Sequence, residues 1–274
     1  MKLKDEKITK AIIERYMKKF IDNLNQDVII AGAGPAGLTT AYYLAKKGYK
    51  VSIFERKLSI GGGMWGGGMM FNEIVVGDDG KKILDEFGII SEKYEEGYYT
   101  ADSVEAISTI CSKATKAGVK IFNCISVEDV MIDKNEVCGV VINWSSVDIA
   151  GLHVDPLSVK SRYVVEATGH PLEVIKILEK KVDGKLFTKT GKIMGEKSMN
   201  AEIGEKTVVE NTKEIYSNVF VVGMAANAAF GANRMGPIFG GMLLSGKKLS
   251  EILIKRLEED CISSKKIEEI VNVK

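Results

Sequence analysis

The sequence predicts an α/β fold, a parallel nucleotide-binding sheet with helices on both faces and a small antiparallel β-meander. Three observations carry that expectation. Asp27-Val28-Ile29-Ile30-Ala31 is a short β-branched run that breaks at Gly32-Ala33-Gly34-Pro35-Ala36-Gly37 and passes into a helical stretch, Leu38 to Lys47. After Gly48 a second apolar run, Lys50-Val51-Ser52-Ile53-Phe54-Glu55, completes a β-α-β unit of about thirty residues. Further on, Val119–Val127, Asp129–Asp133 and Val137–Trp144 alternate as strands do, with Asp133-Lys134-Asn135-Glu136 as a turn.

The other elements are read in order. Ile8, Ile12, Tyr16, Phe20 and Leu24 recur every fourth position, which predicts an amphipathic helix over 5–25. Such a helix caps the domain or joins a subunit interface. The glycine-dense run from Gly61 to Gly68 is a loop, and Lys81–Phe87 and Ser103–Lys116 are helical, the latter closed by Gly118. Residues 145–160 read as a polar loop, and Ser161–Ala167 as a strand that stops at Thr168-Gly169-His170. Pro171 is placed to open a helix reaching Lys181. Residues 182–213, with weak periodicity, read as a long ordered loop. Val219–Gly223 is a late buried strand and Met242–Leu257 the closing helix.

The expected division is an N-terminal helix over 1–26, a single domain over 27–257 and a polar tail over 258–274. A chain of 274 residues and 30.0 kDa with 45% hydrophobic residues is the size at which one core is still sufficient. Lys plus Arg number 38 against 37 Asp plus Glu, a net charge of +1, so there is no basic excess to neutralise nucleic-acid phosphates. Cys111, Cys124, Cys138 and Cys261 are far apart, which excludes a disulfide scaffold and fits a reducing cytoplasm. Met1-Lys2-Leu3-Lys4-Asp5-Glu6 is too charged for a signal peptide. The longest mostly apolar stretch, Val219 to Ala232, is too short to span a bilayer. A soluble, cytoplasmic protein with neither nucleic-acid nor membrane partners is expected.

Chemistry concentrates in three places. In Gly32-x-Gly34-x-x-Gly37 the first glycine permits the tight turn and Gly34 lets backbone approach a pyrophosphate. Gly37 lets helix and strand pack closely, and the helix N-terminus faces the phosphates. Glu55 lies 18 residues past Gly37, where a carboxylate accepts from ribose hydroxyls and repels a 2′-phosphate, favouring NAD or FAD over NADP. The chain's two histidines are His153 and His170. His153-Val154-Asp155 sets two potential ligands at i and i+2 on one side of an extended segment. Imidazole with carboxylate suits iron, zinc or manganese, although a satisfied structural histidine is the common alternative. Arg234, in the tight loop Gly231-Ala232-Asn233-Arg234-Met235-Gly236-Pro237, can fork onto a carboxylate or form a surface ion pair.

Glu166-Ala167-Thr168-Gly169 is a strand end common in flavoprotein-type Rossmann-like folds. Val219 to Met224 resembles the flavoprotein strand that ends Gly-Asp, but Met224 stands at the acidic position, which argues against FAD. Two other readings are an FAD-dependent oxidoreductase on this scaffold and a non-catalytic nucleotide-binding regulatory or assembly protein. The latter leaves the histidines and Arg234 without a task.

Taken together, Glu55-Arg56 to Gly68, His153-Val154-Asp155, Ala167-Thr168-Gly169-His170 and Gly223-Met224 through Pro237 resemble the thiamine thiazole synthase family, in its sulfide-dependent, archaeal-type branch. The match runs from about residue 10 to about 257. The resemblance implies an NAD-consuming transferase that releases nicotinamide, condenses the opened sugar with glycine and adds sulfide to close an ADP-thiazole carboxylate. It implies that Gly34, Ala36, Glu55, Arg56, Gly63 and Val127 bind the ADP part. His153, Val154, Asp155 and Met224 approach the reacting ribose. Asp155 and His170 hold Fe(II), Arg234 clamps the glycine carboxylate, and the catalytic set is His153, Asp155 and His170. In the suicide branch a cysteine at the position of His153 donates its own sulfur. Histidine there implies exogenous sulfide and multiple turnover, with a homo-octamer as the expected assembly.

Overall fold

The computed structural model describes residues 3–272. Its central sheet is built from β1 (Asn25–Ala31), β2 (Val51–Glu55), β6 (Lys120–Asn123), β9 (Leu157–Glu166) and β11 (Val219–Val221), all parallel to one another where they pair. The order is β11-β9-β1-β2-β6, and β10 (Lys213–Tyr216) adds an antiparallel edge beside β11. The first crossover, α2 (Pro35–Lys46), carries the chain from β1 to β2, while β9 lies on the other side of β1. The connections therefore diverge at β1, leaving a crevice over the carboxyl ends of these strands.

Strands buried on both faces need apolar side chains throughout. β1 and β2 satisfy that: Val28, Ile29, Ile30 and Ile53 are wholly buried. On one face α2 packs with α4 (Ser103–Ala117) and α9 (Gly240–Asn272) around Leu38, Leu44, Ile107, Leu249 and Leu253. Gly246 fits its backbone against α2, where its carbonyl accepts from Thr40 Oγ1 at 3.1 Å. The other face is covered by α6 (Glu173–Lys181), α8 (Met224–Phe230) and the hairpin of β7 (Ile125–Asp133) and β8 (Glu136–Trp144).

The expected small antiparallel part is present, with β7, β8 and the start of β9 paired in sequence order, but its strand bounds shift. Val119–Val127 divides, since β6 joins the parallel sheet and β7 starts afresh at Ile125 after Cys124 turns with φ 58°. β8 then pairs with the first half of β9, at Gly139–Ile142 opposite Leu157–Lys160. A separate antiparallel sheet, β3 (Glu73–Val76), β5 (Tyr98–Asp102) and β4 (Glu92–Glu95), flanks α3 (Asp78–Phe87). β4 is exposed along its length, so no apolar alternation marked it.

Four further boundaries move. The first helix, α1 (Asp5–Ile21), buries only Phe20, edge-on to Phe122 at 5.6 Å, while Ile12, Ile13 and Met17 stay exposed. It caps the sheet through its last turn. The 145–160 loop contains α5 (Ser145–Ile149), and its end is already strand β9. The 182–213 segment contains α7 (Ala201–Glu210), started by Asn200, whose side chain accepts from the Ile203 amide at 3.0 Å. Only Gly204 and Val208 of that helix are buried, too few to produce a helical period. α9 passes Leu257 and takes up the expected polar tail as far as Asn272, the last two residues lying outside the described chain.

α7 also brings a half-buried acid to the start of α9. Glu205 Oε1 accepts from the Gly241 amide at 2.6 Å, Oε2 is buried without a partner, and burial pushes the carboxyl up to about 7. The folded state therefore holds this proton more tightly than the unfolded chain does. The linkage predicts stability that falls as pH rises from about 4.5 to about 7 and levels off above. Glu205→Gln keeps the acceptor and loses the charge. Its melting temperature is expected to exceed that of the parent at pH 8 by more than at pH 5, which thermal unfolding at the two pH values checks.

Candidate functional site

A cavity of about 730 Å³ opens over the carboxyl ends of β1, β2, β9 and β11, a volume in the range of small-molecule and cofactor sites. Its floor is the turn after β1. Gly32 sits at φ +100°, and a Cβ there would lie 2.5 Å from the Ala167 carbonyl oxygen. Only glycine lets β1 and β9 leave the sheet side by side at this point. Gly34 has no atom within 4 Å of where its Cβ would be, and it lines the cavity. A ligand can therefore contact backbone there and reach the N-terminus of α2.

Glu55, at the end of β2, is buried yet lines the cavity. Oε2 accepts from the Ala33 amide and Oε1 from the Lys57 amide, both at 2.9 Å. These bonds fix the carboxylate between the phosphate turn and the next loop, with lone pairs left for a diol. Replacement by lysine puts an ammonium ion against the Ala33 N–H and removes the diol acceptor. Glu55→Lys is expected to weaken binding of a ribose-bearing nucleotide by about 1.5–3 kcal/mol, which calorimetric titration with NAD as the probe checks.

Arg56 pairs with Glu173 at the first turn of α6, and both line the cavity. Burial raises the Glu173 carboxyl and the Arg56 guanidinium opposes it. Gly63 and Val127 lie on the same wall, and Ala36 and Met224 face it from the starts of α2 and α8.

His170 is presented by the turn after β9. Glu166, fully buried at the end of that strand, accepts from the amides of Thr168 (2.7 Å), Val174 (2.8 Å) and Ile175 (3.3 Å). Burial raises its carboxyl and those amides oppose the shift. This acid, rather than Pro171, sets the start of α6 at Glu173, after Leu172 in a left-handed conformation (φ 52°). The His170 ring lines the cavity, and its Nδ1 lies 2.5 Å from Glu196 Oε1.

Arg234 reaches the same cavity from the loop before α9. That loop is held by a backbone ladder: Lys197 N–H to the Ala232 carbonyl at 2.9 Å, Arg234 N–H to the Lys197 carbonyl at 3.3 Å, and Asn200 N–H to the Arg234 carbonyl at 2.9 Å. No ion pair to the guanidinium is present among the described residues.

The fold thus collects Gly34, Ala36, Glu55, Arg56, Gly63, Val127, His170, Met224 and Arg234 around one space. It does not bring His153, Val154 and Asp155 to that wall. They lie exposed in the segment between α5 and β9, where the Val154 carbonyl accepts from Asn143 Nδ2 at 3.0 Å. Among the described residues no group of three or more His, Cys, Asp or Glu side chains is arranged to hold a metal. Glu173 and Glu196 are site residues without a sequence signal, because their partners are remote in the chain. Glu166 was marked as part of the Glu166–Gly169 strand end, while its bonds to the first turn of α6 had no sequence signal.

Comparison with known proteins agrees with this geometry. The profile of the Thi4 family matches residues 9–239. The chain is 60% identical over 258 residues to a thiamine thiazole synthase of Methanothermobacter thermautotrophicus, covering 94% of this chain and all of that one. It is 55% identical over 256 residues to the thiamine thiazole synthase of Pyrococcus horikoshii, covering 93% and 99%. The crystal structure of Thermovibrio ammonificans THI4 superposes with a TM-score of 0.92 at 51% identity, covering 94% of this chain and all of that one. No helix among the described residues is long and apolar enough to cross a membrane.

Proposed function

Because this chain belongs to the Thi4 family and is a thiamine thiazole synthase by that membership, we propose that it is the sulfide-dependent, multiple-turnover form. It consumes NAD as a substrate, releases nicotinamide and joins the opened ADP-ribose to glycine. Sulfide then enters and the ADP-thiazole carboxylate closes. One observation carries the reading: the dinucleotide turn, Glu55, His170 and Arg234 share a single cavity.

The chain's residues have separable tasks. The amides at the start of α2 and the open side of Gly34 receive the pyrophosphate, and Glu55 accepts from the adenosine ribose. Arg56, steadied by Glu173, supplies positive charge beside the ADP part. Arg234 orients glycine by its carboxylate, leaving the amine to meet the sugar carbonyl, a gain through orientation. Met224 closes the ribose end with an apolar side chain. His153, which lies off the wall of its own chain, would move protons among the sugar tautomers when a second copy presents it beside Asp155.

Iron(II) would supply Lewis acidity for the enolisations and a site for sulfide. His170 suits it as an imidazole on the cavity wall, and Asp155 would be the second protein ligand. Asp155 lies off the wall of its own chain, so in the octamer a second copy presents it. The segment that carries it supports this, since Ile149, Leu152 and Val154 are 84%, 61% and 47% exposed, an apolar surface that another chain would cover.

Anaerobic incubation with NAD, glycine, sulfide and Fe(II), followed by mass spectrometry, is expected to yield an adenylated thiazole in excess of enzyme. One equivalent or less per chain, or no need for sulfide, would overturn the multiple-turnover reading. His153→Cys is expected to form some product without sulfide and to lose the mass of one sulfur from the chain. An unchanged sulfide requirement with intact protein mass counts against it.

A further inference from the structure

We infer that Glu196 is a positioning residue that locks the His170 imidazole in one tautomer, with Nδ1–H donated to the carboxylate and Nε2 left as the lone-pair nitrogen. The contact is short, 2.5 Å from Nδ1 to Oε1, and Glu196 is more enclosed than its partner, at 22% against 44% exposed. An ionised carboxylate can only accept hydrogen bonds. A neutral imidazole facing it must therefore carry its proton on Nδ1, which leaves Nε2 as the acceptor.

The position of Glu196 is itself fixed. It stands in the 194–200 segment, whose backbone runs along the loop after α8: the Met194 N–H donates to the Ala229 carbonyl at 3.1 Å, and Lys197 bonds both Ala232 and Arg234. Asn233 Nδ2 adds a bond to the Ser198 carbonyl at 2.7 Å. The carboxylate that orients His170 and the loop that presents Arg234 thus belong to one hydrogen-bonded unit. His170 is anchored from the other side by the Glu166-capped turn. The turn that carries His170 and the segment that carries Glu196 are thus each held by their own hydrogen bonds. Carboxylate–imidazole pairs of this kind fix ring orientation.

The inference rests on the proposed function only for its consequence, since the tautomer is a property of the metal-free chain. The test is solid-state ¹⁵N NMR on full-length, metal-free protein labelled at histidine, about two units above the ordinary histidine pKa. The chain has two histidines, so His153→Gln isolates the His170 signals. The parent protein is expected to show a protonated Nδ1 and an unprotonated Nε2. Glu196→Ala is expected to release the ring to a mixture dominated by Nε2–H, while Glu196→Gln, which keeps an acceptor oxygen, preserves the original tautomer. An Nε2–H ring in the parent, or an unchanged ring in Glu196→Ala, overturns the inference. The parent spectrum decides the matter even if the alanine variant fails to fold.

Anaerobic titration with Fe(II) alone reads the consequence. Glu196→Ala is expected to bind about 10–100-fold more weakly, with the glutamine variant between it and the parent. A tautomer that shifts while Fe(II) affinity stays constant supports the positioning role and removes His170 from the metal site.

Discussion

His170→Ala is expected to abolish thiazole formation while leaving NAD binding intact. The ring is the imidazole that the fold holds on the cavity wall, and the nucleotide turn lies on other strands. If His170 holds Fe(II) as proposed, losing it should cost more affinity than the roughly 10–100-fold that follows loss of a ligand's hydrogen-bond partner. Anaerobic metal analysis after gel filtration, with calorimetric titration of NAD in parallel, separates the two effects. Retained activity with unchanged iron content would remove the metal assignment. Loss of NAD binding along with activity would mean that the turn after β9 had collapsed and that His170 acts through structure.

Gly32→Val is expected to destabilise the whole domain by about 3 kcal/mol or more. A left-handed conformation costs an L-residue about 1–2 kcal/mol, and overpacking typically adds about 1–3 kcal/mol. Here the added Cβ would meet the Ala167 carbonyl oxygen at 2.5 Å, and neither strand can yield, because β1 and β9 are paired from Asn25 to Ala31. Relief would require separating the two strands at the base of the cavity, so nucleotide binding should fail before unfolding is complete. Urea denaturation and NAD titration check both parts. A substitution at Gly34, where a Cβ meets nothing within 4 Å, should leave stability nearly unchanged and affect binding alone. A stable Gly32→Val protein that still binds NAD would show that close passage of β1 and β9 is not what the glycine serves.

The first half of the site was legible because its signals are local. A strand, a glycine turn, a helix and a terminal acid follow one another within about thirty residues, and the structure places Glu55 where that spacing requires, bonded to Ala33 at 2.9 Å. Met224 and Arg234 were legible from the strand and the Gly/Pro loop that precede them. The exposed strand β4 and the short helix α7 were not, since neither buries enough side chains to leave a periodicity. Glu173 and Glu196 were invisible for a different reason: their roles come from Arg56 and His170, which are far along the chain, and no spacing rule reaches that distance.

By itself the sequence determined the β-α-β unit with its glycine turn and terminal acid, and the family, because each depends on residue identity or on neighbours a turn or two away. Only the tertiary structure decided which of the marked residues share a cavity. It gathered His170 and Arg234 onto the wall, left His153 to Asp155 exposed beyond it, and brought Glu196 against the His170 ring, since the carboxyl ends of parallel strands meet in space whatever their separation along the chain.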